Sequence, residues 1–167
     1  DNGVRDLAIL TLLVRLGLRR CEVSRLGLDD IDWRAGTICV HGKGNCLERL
    51  PLPADVGHYL AQYLRHARPA KARGRSVFVR HFAPYNALSA TRVSTIVADA
   101  ARRAGVGRVH AHRLRHTAAT QLLRAGASLP EVGQVLRHRR AQTTAIYAKV
   151  DHDTLRVIAR PWPEDAQ

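Results

Sequence analysis

Four side chains in the last third of the sequence have the chemistry to act on a phosphate diester. His112 and Arg115 are three positions apart, so on a helix both project from one face. His138 follows, and Tyr147 comes nine residues after it. Arginine and histidine can donate hydrogen bonds to phosphate oxygens, and a phenol can attack phosphorus as a nucleophile. His112 is the candidate base that would accept the phenol proton.

Three consecutive helices would have to position this set. An apolar-periodic run follows His112 and stops at Gly126, a typical C-cap residue. Residues Ser128–Glu131 have a capping-box pattern with proline in the first turn, so a second helix is expected to end near His138. A third, short helical segment from about Gln142 would carry Tyr147.

The N-terminal part predicts a second phosphate-binding position. Residues 4–16 form a largely apolar helical pattern that breaks at Gly17, and residues 20–26 predict a short helix. Arg19 lies at the start of that short helix, where backbone amides also favour an anion. Arg20 is the competing candidate at this place, and an ordinary surface arginine is the alternative interpretation.

Residues 28–52 change to short strand-like runs separated by glycine turns, which predicts a small three-stranded antiparallel sheet. Lys43 would lie in the turn between the second and third strands. Further helices are expected from Pro53 and from a cap at Ser89 or Thr91. The predicted fold class is therefore α+β and mainly helical, and it forms one domain of 167 residues.

Two groups of residues could instead form a metal site. Asp29, Asp30 and Asp32 could hold a catalytic metal, although aspartates at the entrance to a strand are commonly turn and capping residues. His110, His112 and His116 could bind zinc, but no cysteine lies near them. We favour the turn interpretation for the aspartates and a packing or supporting role for His116.

The composition points to a nucleic-acid partner. The formal net charge is +13 and the sequence pI is about 11.1. An arginine-biased solvated surface would explain part of this excess. The three cysteines include no Cys-x-x-Cys pair, and no apolar run approaches the length of a membrane span. We expect a soluble protein of a reducing cytoplasm, associated with the bacterial nucleoid.

Basic residues outside the four-residue set are candidates for DNA phosphate contacts. Some lie in the basic loop of residues 68–76 and others flank His138. These candidates are Lys71, Arg73, Arg75, Arg137, Arg139 and Arg140.

Together the motifs resemble the catalytic domain of tyrosine recombinases, the phage integrase and Xer-like family. The resemblance rests on His112-x-x-Arg115, the Leu-x-His element ending at His138, and Tyr147. It extends upstream to the box Gly17-Leu18-Arg19-Arg20-Cys21-Glu22 and to Gly42-Lys43-Gly44. These boxes span nearly the whole chain in the family's order. One departure is Arg137, because the family usually has glycine before the histidine.

The resemblance implies a function and a role for each residue. Arg19, Arg115 and His138 would bind the phosphate, Lys43 would protonate the leaving 5′ oxygen, and Tyr147 would form a 3′-phosphotyrosyl intermediate. Glu22 and His116 would support them. The implied enzyme is a site-specific DNA recombinase or integrase that needs neither a metal nor a small-molecule cofactor. It would bind double-stranded DNA and self-associate as a tetramer on two DNA sites.

The same resemblance bears on domain organisation. The chain would be the catalytic domain without the N-terminal DNA-clamp domain of the family, so we expect weak, salt-sensitive DNA binding. Residues from about 150 to 167 would form a C-terminal tail, which docks on a neighbouring protomer in the family and could equally fold back on its own domain. Three other functions are alternatives: a type IB topoisomerase, a noncatalytic DNA-binding module of the same fold, and a metal-dependent nuclease.

Overall fold

A computed structural model describes residues 2–42, 47–137 and 144. The chain forms two compact units, residues 1–118 and residues 119–167. Within the described residues, helices predominate and the strands form one sheet. The helices are Asn2–Arg15 (α1), Arg20–Arg25 (α2), Ala54–Gln62 (α3), Ala90–Arg103 (α4), Ala111–Arg124 (α5) and Leu129–Val135 (α6). The strands are Ile31–Asp32 (β1), Thr37–His41 (β2) and Leu47–Pro51 (β3).

The core of the first unit is organised around α1. Ala8, Ile9, Leu12 and Leu13 recur one helical turn apart, and all four are fully buried. The helix ends before Gly17, whose φ of 58° is in the left-handed region that glycine adopts at little cost. The predicted N-terminal helix and its break are therefore confirmed.

The sheet has the predicted three antiparallel strands in the order β1-β2-β3. Ile38 pairs with Leu50, and Ile31 pairs with Ile38 on the other side. Ile38 and Val40 alternate with more exposed neighbours on β2 and are buried against the helices, as expected for a sheet with one face on the core. Lys43 lies between β2 and β3 in sequence but outside the described residues.

The three aspartates considered as metal ligands all have protein partners around the sheet. Asp29 pairs with Arg75, and Asp30 accepts a hydrogen bond from the backbone N–H of Gly27. The Asp32 carboxylate accepts from the two backbone N–H groups that follow β1. The contacts of Asp30 and Asp32 are turn and capping contacts, which is the interpretation favoured from the sequence, whereas Asp29 forms an ion pair with a distant residue.

The α3 helix ends in a turn of π-helix, Tyr63–Ala67, that the sequence pattern did not predict. The ring of Tyr63 stacks on Phe78 with 5.3 Å between ring centroids, and its hydroxyl accepts a hydrogen bond from the backbone N–H of Val79. Burial raises the pKa of Tyr63, so this phenol is a neutral packing group. The α4 helix is capped by Ser89, whose hydroxyl accepts from the Arg92 N–H. The alternative cap, Thr91, lies inside the helix.

The second unit begins within α5 and continues into α6. Ala119 of α5 packs with Val132 and Leu136, and all three are fully buried. Ser128 and Glu131 form the predicted capping box at the start of α6. The predicted helix carrying Tyr147 lies outside the described residues, apart from Thr144, which is helical. Among the described residues, no helix combines the length and apolar character that a membrane span requires.

Candidate active site

Arg19 is held in place by Glu22 at the start of α2. The Arg19 guanidinium Nη1 lies 2.6 Å from Glu22 Oε1, and the backbone N–H of Arg19 donates to Glu22 Oε2 at 2.7 Å. Glu22 is 4% exposed, whereas the Arg19 side chain is 42% exposed. The buried carboxylate therefore holds the guanidinium of a side chain that is partly exposed to solvent.

Arg115 is a buried cation on α5, with 3% of its surface exposed. Its Nη1 donates a hydrogen bond to the backbone carbonyl of Gly17. The left-handed turn at Gly17 thus joins the two arginine-bearing segments: it ends α1 just before Arg19, and its carbonyl contacts Arg115. A buried guanidinium attracts an anion more strongly than an exposed one because solvent screens it less.

Both arginines line one cavity of about 420 Å³ in the first unit. Segments from α2, α4 and α5 form its walls. The lining residues are Leu18, Arg19, Arg20, Cys21, Ser94, His110, Ala111, His112 and Arg115. These residues include three arginines and two histidines but no carboxylate. A cavity with this lining is suited to bind an anion such as a phosphate diester.

The two histidines of the His112 box contact each other on one face of α5. Their ring centroids are 4.4 Å apart with the rings nearly perpendicular. His112 is exposed and lines the cavity, while His116 is half-buried behind it. Desolvation lowers the pKa of His116, and the electrostatic interactions with His112 and Arg115 lower it further. His116 is therefore neutral near pH 7, as suits a supporting residue.

Sequence reasoning missed Ser94 and left Arg20 as a competitor of Arg19. Arg20 also lines the cavity, and its Nη1 donates to Ser94 Oγ at 3.1 Å. A serine in the middle of α4 has no sequence feature that marks it, because its position depends on how α4 packs against α2. Arg19 differs from Arg20 in having a buried carboxylate that orients it.

The structure places only part of the predicted set. Arg19, Glu22, His112, Arg115 and His116 come together in the first unit. Three further catalytic candidates and two DNA-contact candidates lie outside the described residues: Lys43, His138, Tyr147, Arg139 and Arg140. Within the part of the chain that the structure describes, no three His, Cys, Asp or Glu side chains form a group that could hold a metal ion.

The remaining candidate DNA contacts have different surroundings. Lys71 and Arg73 are exposed and line a separate cavity of about 340 Å³. Arg75 pairs with Asp29, and this hydrogen bond holds the pKa of the Asp29 carboxyl below its usual value. Arg137 follows α6 with φ of 57° and is 9% exposed. Its Nη1 lies 3.5 Å from the Val135 carbonyl.

Comparison with known proteins shows the family of this chain. The profile of the phage integrase family matches residues 1–153. A putative integrase/recombinase of Sinorhizobium fredii is 51% identical over 168 residues, which cover 99% of this chain and 41% of that relative. The tyrosine recombinase XerD of Neisseria meningitidis is 33% identical over 95% of this chain and 55% of its own length. The chain thus spans about half the length of these two relatives or less.

A solved structure gives the same result for the fold. The site-specific recombinase XerH, in a post-cleavage complex with a palindromic difH substrate, has a TM-score of 0.77 and 27% sequence identity. The match covers 91% of this chain and 44% of the XerH chain. The chain therefore belongs to the phage integrase family and has the catalytic-domain fold of tyrosine recombinases.

Proposed function

We propose that this chain is the catalytic domain of a site-specific DNA recombinase that breaks and rejoins DNA through a 3′-phosphotyrosyl intermediate. The observation that carries the proposal is the convergence of Arg19 and Arg115 on one carboxylate-free cavity. Each arginine is oriented by a polar group of its own, the Glu22 carboxylate for one and the Gly17 carbonyl for the other. Pre-oriented donors stabilise transition-state charge without reorganising during the reaction.

The reaction follows from the chemistry of the residues. Arg19, Arg115 and His138 bind the nonbridging oxygens of the scissile phosphate, where guanidinium donors match the phosphate geometry. The Tyr147 oxygen attacks phosphorus, and the bond from phosphorus to the 5′ oxygen breaks. His112 accepts the phenol proton and Lys43 supplies a proton to the leaving oxygen. The phosphodiester is conserved as a phosphotyrosine, so a second 5′ hydroxyl can reverse the step without ATP.

The family supports double-stranded DNA as the partner, as does the DNA complex of XerH. In this proposal residues 1–167 form one catalytic domain that acts within a tetramer on two DNA sites. Residues 150–167 would dock on a neighbouring protomer, and their apolar Leu155, Val157 and Ile158 suit such a contact. Lys71, Arg73 and the arginines beside His138 would add contacts to the DNA backbone.

The proposal is tested with a nicked suicide substrate. A DNA site is first selected from a randomised duplex pool by its affinity for the protein. The protein is then incubated with the nicked site in EDTA, and the products are separated on a denaturing gel. We expect a slow-migrating protein–DNA adduct with wild type, none with Tyr147→Phe, and a strongly reduced yield with Arg115→Lys, by roughly 100-fold or more.

Two outcomes contradict the proposed chemistry. Cleavage that appears only when magnesium is added would indicate a metal-dependent nuclease. An adduct that persists in Tyr147→Phe would place the nucleophile elsewhere. Relaxation of supercoiled plasmid of arbitrary sequence, with Tyr147 required, would retain the chemistry but identify a topoisomerase.

A further inference from the structure

Gly133 lies in the interior of α6. Glycine is unfavourable inside a helix, and a helical backbone does not need the positive φ that glycine can adopt. Glycine weakens a helix because its backbone loses more conformational freedom on folding than that of any other residue. The positive-φ glycines of the described residues are 17, 36, 105, 107 and 126, and Gly133 is not among them. Its backbone would therefore accept an L side chain, so another reason must account for glycine here.

The space beside Gly133 is already filled by Thr144. A Cβ placed on Gly133 would lie 2.9 Å from Thr144 Oγ1, 3.6 Å from Thr144 Cγ2 and 3.7 Å from Thr144 Cβ. Real Cβ atoms essentially never come within 3.0 Å of another heavy atom. Thr144 is 6% exposed, and a β-branched side chain has few alternative rotamers. An added methyl group must therefore displace Thr144.

The α6 helix itself has little room to move away. Val132 and Leu136, on either side of Gly133 in sequence, are fully buried against Ala119. Closely packed interiors transmit such strain instead of absorbing it. The displacement would then fall on Thr144, and only two residues separate Thr144 from Tyr147 in the sequence.

We infer that Gly133 is a positioning residue for the Tyr147 nucleophile, and this inference rests on the function proposed above. Its missing side chain leaves the space beside α6 that Thr144 occupies, and Thr144 lies three positions before Tyr147 in the sequence. Attack on phosphorus requires alignment of the reacting atoms, and a misplacement of about 1 Å can reduce a rate by roughly 100-fold. Gly133→Ala should therefore slow cleavage by roughly 10- to 100-fold.

The test compares two glycine-to-alanine variants in helices. Gly133→Ala introduces the close contact with Thr144. Gly57→Ala, in α3, is the matched control because its Cβ would meet Leu52 at an ordinary 3.6 Å. The double variant Gly133→Ala/Thr144→Ala removes the obstructing hydroxyl and methyl groups. For each protein we would measure adduct formation at saturating DNA, DNA affinity and the thermal unfolding midpoint.

We expect Gly133→Ala to lose cleavage rate while its DNA affinity and unfolding midpoint stay near wild type. The double variant should recover most of the rate, and Gly57→Ala should keep all of it. Wild-type cleavage by Gly133→Ala overturns the inference. A rate loss that merely accompanies unfolding or lost DNA affinity also overturns it, since the role would then be structural.

A second substrate separates the nucleophile from the leaving-group acid. With sulfur in place of the bridging 5′ oxygen, the leaving group is a thiolate, which departs without a general acid because thiols are far stronger acids than alcohols. Lys43→Ala should be rescued on this substrate, whereas Gly133→Ala should stay slow. Rescue of Gly133→Ala would overturn the inference. If wild type forms no adduct on either substrate, the proposed function itself fails.

Discussion

At the residue scale, the candidate site depends on charged groups that are buried and therefore need partners. Glu22 is nearly inaccessible, yet both of its carboxylate oxygens accept hydrogen bonds from Arg19. An unpaired buried carboxylate would be costly, so this pair is maintained in the folded protein. In the proposed reaction, Glu22 would therefore act through Arg19, which it orients.

Replacing Glu22 with glutamine tests this positioning role. A glutamine carbonyl can still accept one hydrogen bond, but the charge that holds the guanidinium is lost. Hydrogen bonds to charged groups contribute about 1.5–3 kcal/mol, so we expect adduct formation to fall by roughly 10- to 100-fold. DNA affinity should change much less, because the cleavage step depends on the orientation of a single guanidinium. Parallel measurements of cleavage rate and DNA affinity check this.

The control for Glu22→Gln is Asp99→Asn, which breaks an exposed ion pair with Arg102 on α4. Exposed pairs of this kind contribute little to stability. Asp99→Asn should therefore retain the wild-type cleavage rate. A Glu22→Gln enzyme that cleaves as fast as Asp99→Asn would show that Arg19 needs no orienting carboxylate.

His116 makes stability depend on pH in a defined direction. Its pKa in the folded protein is lowered from 6.5, so the unfolded chain binds more protons around and below that pH. The contribution of His116 to the free energy of unfolding is complete above about pH 6.5 and decreases as the pH falls below that value. His116→Gln cannot titrate, so it should lose less free energy of unfolding than wild type between about pH 7.5 and about pH 5.5. Urea unfolding at the two pH values measures this, and equal losses would contradict it.

The chemistry of phosphate binding restricts which side chains can serve, so residue type and spacing singled out Arg115, and the family resemblance selected Arg19 over Arg20. Both arginines line the cavity, whereas Lys43, His138 and Tyr147 lie outside the described residues. Ser94 was not, because its contact with Arg20 depends on the packing of α4 against α2. The role of Gly133 was not predicted either, since it depends on a contact with Thr144 made by folding.

At the element scale, helix boundaries that depend on a local residue type were predicted from the sequence. A helix end that depends on tertiary packing was missed. The Ser128 box and the break at Gly17 follow from local chemistry. The π-helical turn after α3 does not, because it accompanies the burial of Tyr63 beside Phe78. Arg137, the second residue after α6, has a left-handed φ of 57°, a conformation that glycine adopts more readily than arginine.

The capping box of α6 provides a test at this scale. Ser128 Oγ accepts from the Glu131 backbone N–H, and Ser128→Ala removes that acceptor. Loss of a serine N-cap costs about 1 kcal/mol, so the free energy of unfolding should fall by about that amount. Chemical denaturation measures the change. Thr117→Ala on the exposed face of α5 is the control, because its hydroxyl only donates to a helix carbonyl and it should be nearly neutral.

At the scale of the whole molecule, the charge distribution should influence association with DNA more than any single contact does. The net charge of +13 favours association with DNA of any sequence, whereas the arginine-lined cavity is expected to act on one phosphate. Under the proposed function, binding and cleavage should therefore be separable. Substitutions on the basic surface should change affinity and its salt dependence, and substitutions in the cavity should change the rate of cleavage.

The basic loop of residues 68–76 provides a test of the expected effect of surface charge on DNA affinity. Lys71 and Arg73 are exposed beside one cavity, so both side chains are accessible to a DNA backbone. Each phosphate contact contributes about 0.9 to the slope of log affinity against log salt concentration. Lys71→Gln/Arg73→Gln should therefore reduce that slope by about 2 and weaken binding to all DNA sequences similarly. Arg102→Gln, at an arginine already paired with Asp99, should leave the slope nearly unchanged. Fluorescence anisotropy over a salt series measures the slope, and equal slopes for wild type and the double variant would place the DNA away from this loop.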